Sequence, residues 1–359
     1  MRLSLPFLLL MLAGCATAPP PQRLPVDLST NAAGELKLGM GKMSVNYRGG
    51  ERYEFGCDLG RYGACGGWGK WSFIGVTVGD GANVFDATRQ HPLEDALVLE
   101  RRTRMVAEML WPELSIRYVR NIDQSDWCYL KISLESSTAV MKVAELQYFA
   151  GPDASPAPGR ESWVAMRDGE RNAGTWQELN LLKKRQPPII VPPEEYGFVW
   201  HLRNDPVNET RGAKFVFLPE EAEAKVEYGA IKLTPRKGVK EIHCAIGHFV
   251  GEPYRQALKS FNAGEAQRVL ATLRDPATWR VDYDSSQDLK LLAELDALRR
   301  NPALDAPFAK ANYDALRAGY DQAAARGDAR ALCKLGREIN KFRDELLVDQ
   351  MRLLLEGKP

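Results

Sequence analysis

Near residue 250 the chain changes character, and that change limits its fold more than any other feature. Upstream lie seven of the eight tryptophans (Trp68, Trp71, Trp111, Trp127, Trp163, Trp176 and Trp200), set among short β-branched and aromatic runs that glycine and proline interrupt. Downstream, Ala, Leu, Arg and Asp take over at helical spacing. Strands followed by helices predict a segregated α+β chain: an antiparallel β-sandwich or jelly-roll-like domain over residues 36–250, then an α-helical domain over residues 251–359.

Candidate strands are Met43–Arg48, Trp71–Val78, Ser115–Arg120, Trp127–Glu135, Ala139–Phe149, Gly197–Leu202, Ala213–Leu218, Lys225–Leu233 and Glu241–Phe249. The clearest alternation sets Cys128, Leu130, Ile132 and Leu134 on a core face and Trp127, Tyr129, Lys131 and Ser133 on the other. Pro92–Trp111 fits either period, and the Pro-rich segments Gly151–Gly159 and Gln186–Pro193 read as loops. In the second half, helices are expected over Pro253–Asn262, Gly264–Leu273, Ser286–Arg300, Ala306–Arg326 and Asp328–Leu355. Gly327 followed by Asp328 is a helix stop and an N-cap, so the last two should form an antiparallel hairpin. The stripe Leu332, Leu335, Ile339, Phe342, Leu346 and Leu347 then faces Phe308, Tyr313, Leu316 and Tyr320.

The N-terminus carries separate information. Met1-Arg2 is a short positive region, and Leu3–Leu12 is an apolar stretch too short for a permanent transmembrane helix, as in a signal peptide. Leu12-Ala13-Gly14-Cys15 resembles the lipobox of bacterial lipoproteins. The resemblance covers residues 1–15 alone and implies a signal peptide of residues 1–14, removed before Cys15, with a diacylglycerol on the Cys15 sulfur. Two or more acyl chains anchor a protein stably. Residues 15–35, with Pro19-Pro20-Pro21, would be the anchor and an extended tether. Ala16 in place of Asp resembles the outer-membrane sorting signal of such lipoproteins. The expected location is therefore the bacterial cell envelope, with the membrane as a partner through the lipid.

A net charge of +1 offers no basic field for nucleic acid, which is excluded as a partner. In an oxidising compartment, Cys57 and Cys65 enclose a glycine-rich loop and are expected to bridge. Cys128 and Cys244 are either a second disulfide or buried thiols, and Cys333 is left over. No metal site is expected, because neither CxxC nor a spaced Cys/His quartet occurs, and His243 and His248 point to opposite sides of a strand. No phosphate loop or GxSxG elbow is present, and no cofactor is expected.

Aromatics remain the most suggestive chemistry, since indole and phenol rings stack on sugar rings while polar neighbours bind hydroxyls. Trp68, Trp71, Trp127 and Tyr129 are the candidates, against the alternative that they fill the core. Lys214–Phe249 also looks loosely like the β-sandwich modules that accompany carbohydrate-processing enzymes. Three readings follow: a lipid-anchored protein whose sandwich binds an extended ligand such as a glycan or peptidoglycan; an assembly lipoprotein whose helices dock an envelope protein; or a polysaccharide or peptidoglycan hydrolase. The last would draw on carboxylates such as Asp58, Asp80, Asp86, Asp123, Asp126, Glu194 and Glu195, among which the sequence selects no pair. Cys15→Ala should move the protein from the membrane to the soluble fraction or leave it unprocessed. Unchanged anchoring and processing on fractionation would sink the lipoprotein expectation.

Overall fold

The computed structural model describes residues 26–30, 36–40, 43–48, 52–57, 70–91, 93–102, 104–121, 127–149, 161–175, 187–203, 211–227, 230–250 and 252–355. It shows an α+β chain in which antiparallel sheets come first and helices follow, as expected. In chain order the strands are β1 (Val26–Thr30), β2 (Leu36–Met40), β3 (Met43–Arg48), β4 (Arg52–Cys57), β5 (Lys70–Asp80), β6 (Asn83–Asp86), β7 (Asp95–Arg101), β8 (Arg104–Leu110), β9 (Leu114–Asn121) and β10 (Trp127–Leu134). They continue as β11 (Val140–Phe149), β12 (Glu161–Met166), β13 (Gly169–Thr175), β14 (Ile189–Ile190), β15 (Gly197–Arg203), β16 (Arg211–Phe217), β17 (Ala222–Glu227), β18 (Ala230–Pro235) and β19 (Glu241–Val250). A short helix, α1 (Ala87–Gln90), interrupts them.

Strands β1 to β4 form a four-stranded meander. The other two sheets, a nine-stranded one ordered β13-β12-β15-β16-β19-β10-β9-β8-β7 and a six-stranded one ordered β14-β17-β18-β11-β5-β6, make the sandwich. Ile74, Val76, Leu146, Ile231 and Leu233 of the smaller sheet share one buried cluster with Ile116, Leu130, Phe198, Phe215 and Ile246 of the larger. Each such side chain taken out of water contributes about 1.5–3 kcal/mol. The undecided stretch Pro92–Trp111 contains a hairpin, β7–β8. The single strand expected over Lys225–Leu233 is instead the second part of one strand and the first part of the next, because pairing ends at Glu227 and resumes at Ala230.

The other face of the nine-stranded sheet is not open. The helices α2 (Tyr254–Ser260), α3 (Ala266–Arg274) and α4 (Pro276–Trp279) lie on it, joined by a π-helical turn at Phe261–Glu265 in which Gly264 takes φ 135. Tyr254, Ala257, Phe261, Val269 and Leu273 bury against Leu97, Val119, Trp127, Tyr129, Val199, Val216 and Phe249. The architecture is therefore three layers: sheet, sheet, helix.

Four further helices, α5 (Ser286–Leu298), α6 (Asp305–Lys310), α7 (Tyr313–Arg326) and α8 (Ala329–Leu355), enclose their own core of Leu291, Leu295, Phe308, Tyr313, Tyr320, Ile339, Phe342 and Leu346. The helix expected over Ala306–Arg326 is broken at Asn312, whose φ of 49 is left-handed. Gly327 ends α7 at φ 64, and the Asp328 carboxylate accepts the Ala331 N–H at 3.0 Å, the stop and cap that the sequence signalled. At the centre of this bundle the buried Asp288 carboxylate accepts both the Tyr283 hydroxyl, at 2.7 Å, and the Tyr320 hydroxyl, at 3.0 Å. Gly336 makes room for it, since a Cβ there would lie 2.6 Å from Asp288 Oδ2. Asp288→Ala leaves the buried Tyr320 hydroxyl and the half-buried Tyr283 hydroxyl without this acceptor and should cost about 2 kcal/mol, read as a lowered Tm.

Candidate ligand-binding surface

Charged side chains on the helix-facing side of the nine-stranded sheet determine where helices can sit. Glu108, Arg117, Lys131 and His243 stand opposite one another across β8, β9, β10 and β19. Glu108 is 1% exposed, so its charge must be balanced locally. Arg117 Nε donates to it at 3.1 Å, and Arg330 of α8 donates from Nε at 2.6 Å and from Nη2 at 3.0 Å. Arg330 also reaches Glu135 at 2.7 Å, and its guanidinium holds that carboxyl below the usual carboxylate range. Lys131 pairs with Glu241 at 2.7 Å. Burial pushes the Glu241 carboxyl up, but the Lys131 ammonium and the Ser133 hydroxyl outweigh it and hold the group low. His243 Nδ1 lies 2.8 Å from Glu221, with the Trp279 ring tilted over the imidazole at 4.7 Å.

Chemically this arrangement is a fastener. Glu108, Glu135 and Glu241 are each bonded to an arginine or lysine and Glu221 to the His243 imidazole, so these carboxylates are already occupied by side chains of the protein itself. Glu195, one of the expected loop carboxylates, is likewise buried and takes a hydrogen bond from Arg167 at 2.9 Å. Among the described residues, no group of three or more His, Cys, Asp or Glu side chains is placed to hold a metal ion.

The aromatic candidates fare differently from expectation. Trp127 is 4% exposed and Tyr129 fully buried, both beneath the helix layer. The Trp127 indole N–H donates to Glu265 at 3.0 Å and its ring stacks on Phe261 at 6.5 Å. Glu265 is also held by the buried Lys214 ammonium at 2.9 Å. These two aromatics therefore form core rather than a sugar-facing surface, because α2 and α3 cover the face that strand alternation left open. Trp71 lies on β5 opposite Tyr148, but its side chain is outside the described residues, as is Trp68.

The second disulfide is also corrected. Cys128 and Cys244 are buried inside the sandwich and not bridged to each other. They share a face, but Cys128 stands opposite Ile246 and Cys244 opposite Leu130. Such diagonal positions are about 7–8 Å apart, beyond the reach of a disulfide. Cys57 ends β4 and Cys65 lies outside the described residues, as do Cys15 and the tether to residue 25.

One aromatic group that the strand alternation did not single out sits at the margin of the helix layer. Strand β12 pairs with β13 and β15 so that Trp163 stands opposite both Asn172 and His201. His201 is buried by the Tyr254 ring of α2, stacked parallel at 3.9 Å. One strand further out, Trp163 is only half-buried and Asn172 is exposed. The Trp163 indole N–H donates to Glu161 at 2.9 Å, which fixes the ring. In the next strand inward, Gly212 stands opposite His201 and Phe249, and a Cβ there would lie 2.4 Å from the Phe249 ring. An anchored indole with an exposed amide and a carboxylate beside it is a shelf suited to a planar or ring-shaped ligand. The signal in the sequence was Asp168-Gly169, a hairpin dipeptide that predicts strands on either side. In the structure Gly169 has φ 136 at this turn.

No protein-family model and no curated protein matches the chain. Solved structures with a distant likeness include an active YidC insertase with its first transmembrane domain resolved, at 8% identity and a TM-score of 0.32. Others are YidC from Thermotoga maritima, at 11% and 0.28, and a bacterial glucoamylase complexed with acarbose, at 8% and 0.30. The alignments cover 85%, 78% and 69% of this chain, and 60%, 66% and 36% of those chains respectively. Likeness this distant does not extend to activity or partners.

The helix layer is tied to the β7–β8 hairpin by a pair whose acid response can be stated. Arg102 donates to Asp284 at 2.9 Å, and this bond is the main reason that the Asp284 carboxyl titrates at about 2. The folded value lies below the ordinary carboxylate value of about 3.9, so the stabilisation is complete above about pH 4 and is lost as pH falls toward about 2. Asp284→Asn should therefore flatten the loss of stability over that window, measured as Tm against pH.

Proposed function

We propose that the chain is a lipid-anchored protein of the bacterial cell envelope whose β-sandwich region binds an extended glycan on the shelf around Trp163. The lipid anchor rests on the pattern from Met1 to Cys15. The observation that carries the glycan reading is a contrast among the described indoles of the β-sandwich region: Trp111, Trp127 and Trp200 are buried, whereas Trp163 is held half-open beside Asn172 and Glu161. An indole face covers the C–H surface of a sugar ring, and the amide and carboxylate are placed to meet hydroxyls. The carboxylates of the fastener are committed to arginine and lysine, which favours binding over hydrolysis.

A second reading, docking of an envelope protein, is supported by the far end of α8. Leu347, Val348, Met351 and Leu355 are exposed there, Met351 at 64% and Leu355 at 87%. Among them stand Arg343, Asp344, Glu345, Asp349 and Arg352, a balance without the positive excess that anionic lipid attracts, so the occupant fitted to this stripe is a protein surface.

Co-sedimentation with insoluble peptidoglycan and a polysaccharide panel separates the readings. Trp163→Ala should abolish pelleting, by about tenfold or more in affinity, while leaving Tm nearly unchanged, whereas Trp127→Phe should lower Tm and leave pelleting intact. Equal pelleting of wild type and Trp163→Ala would overturn the shelf, and release of soluble sugar would restore the hydrolase reading.

A further inference from the structure

The last four helices are glued to one another and only clipped to the sheet. Their apolar core is closed within α5 to α8, and from α8 the cluster under the helix layer takes one side chain, Cys333. The hydrogen bonds and ion pairs of α8 to the sheet come chiefly from arginine and lysine. Arg330 holds Glu108 and Glu135, Lys334 lies 3.7 Å from Asp95, and Arg337 donates to Asp95 at 2.7 Å. These contacts fall on the end of the nine-stranded sheet, where β7 is the edge strand. Arg337 Nη1 is 3.5 Å from the Ala96 carbonyl and Cys333 Sγ is 3.6 Å from the Val98 carbonyl, so α8 covers backbone acceptors of that edge.

Helix α4 and the connector from it to α5 are secured separately. Arg104 donates to the carbonyls of Ala277, Thr278 and Arg280, the Asp282 N–H reaches Glu100 at 3.4 Å, and Arg102 holds Asp284. A bundle with its own core, a fixed connector and an ionic far contact has the parts of a hinged latch. Lifting it does not strand a buried charge, since Glu108 keeps Arg117 at 3.0 Å.

We propose that α8 is a releasable latch over the edge strand β7, held by Arg330, Lys334 and Arg337 and opened when their ion pairs are screened or displaced. Open, it uncovers the carbonyls of Ala96 and Val98, edge acceptors of the kind that strand addition uses. Cys333 reports the movement, because its thiol is buried at this contact while Cys128 and Cys244 lie inside the sandwich. The experiment is maleimide labelling of the full-length folded protein, read for each cysteine by peptide mass mapping. Raising salt from about 0.05 to about 0.5 M should speed labelling of Cys333 about tenfold while Cys128 and Cys244 stay protected. Asp95→Asn combined with Glu135→Gln, which leaves only the Arg330–Glu108 pair, should give faster Cys333 labelling already at low salt and a smaller salt response. The latch is refuted if Cys333 labels no faster in high salt, or only in step with Cys128 and Cys244. The wild-type titration decides this even where the double variant fails to fold.

Discussion

Burial of the nine-stranded sheet on both faces is the constraint from which the rest of this structure follows. One face is closed by the six-stranded sheet and the other by helices, so the charged residues on the helix-facing side are paired either along the sheet, as Lys131 is with Glu241, or with a helix above. Glu108 and Lys214 are the sharpest cases. A carboxylate at 1% exposure without a counter-ion would cost several kcal/mol, and Arg117 and Arg330 prevent that; Glu265 does the same for Lys214. The helices are thus positioned by complementary charge as much as by apolar contact, and their register over the sheet is set by where those few charges stand.

Much of this was legible from residue pattern and some of it was not. Strand β3 has the expected bounds, several other strands differ by a residue or two at an end, and the α7–α8 corner was marked by Gly327 and Asp328. Alternation in β10 separated Cys128, Leu130 and Ile132 from Trp127 and Tyr129 correctly. What alternation cannot express is what lies above each face, so the second set was offered to solvent when helices more than a hundred residues later in the chain cover it. Residues Glu161–Thr175 carry too few β-branched side chains to announce two strands, and with the Asp168-Gly169 turn between them passed over, the half-open Trp163 was missed as well. Asn312 shows a different limit: a left-handed residue inside an otherwise helical pattern breaks the helix without a glycine or proline to mark it.

The shelf around Trp163 and the exposed end of α8 lie on different elements, one on the sheet beyond the rim of α2 and one on the bundle. That separation has a physical origin. Helices α2 to α4 bury their apolar sides on the sheet and α5 to α8 bury theirs on each other, so the leftover surfaces of the two layers are chemically distinct: aromatic and amide on one, aliphatic on the other. A single chain therefore offers two kinds of contact without either competing for the same residues.

The pair between Glu108 and Arg330 spans 222 positions of sequence, and the contact of Cys333 with Val98 spans 235. Contacts at such separation cannot form until nearly the whole chain has been synthesised, and topologies rich in them close slowly. Until Arg330 arrives, the half-built sheet carries Glu108 with one guanidinium and a helix-facing side still bare to water. The charged residues that hold the finished layers together also keep that face wet and less prone to self-association while the C-terminal helices are still to come.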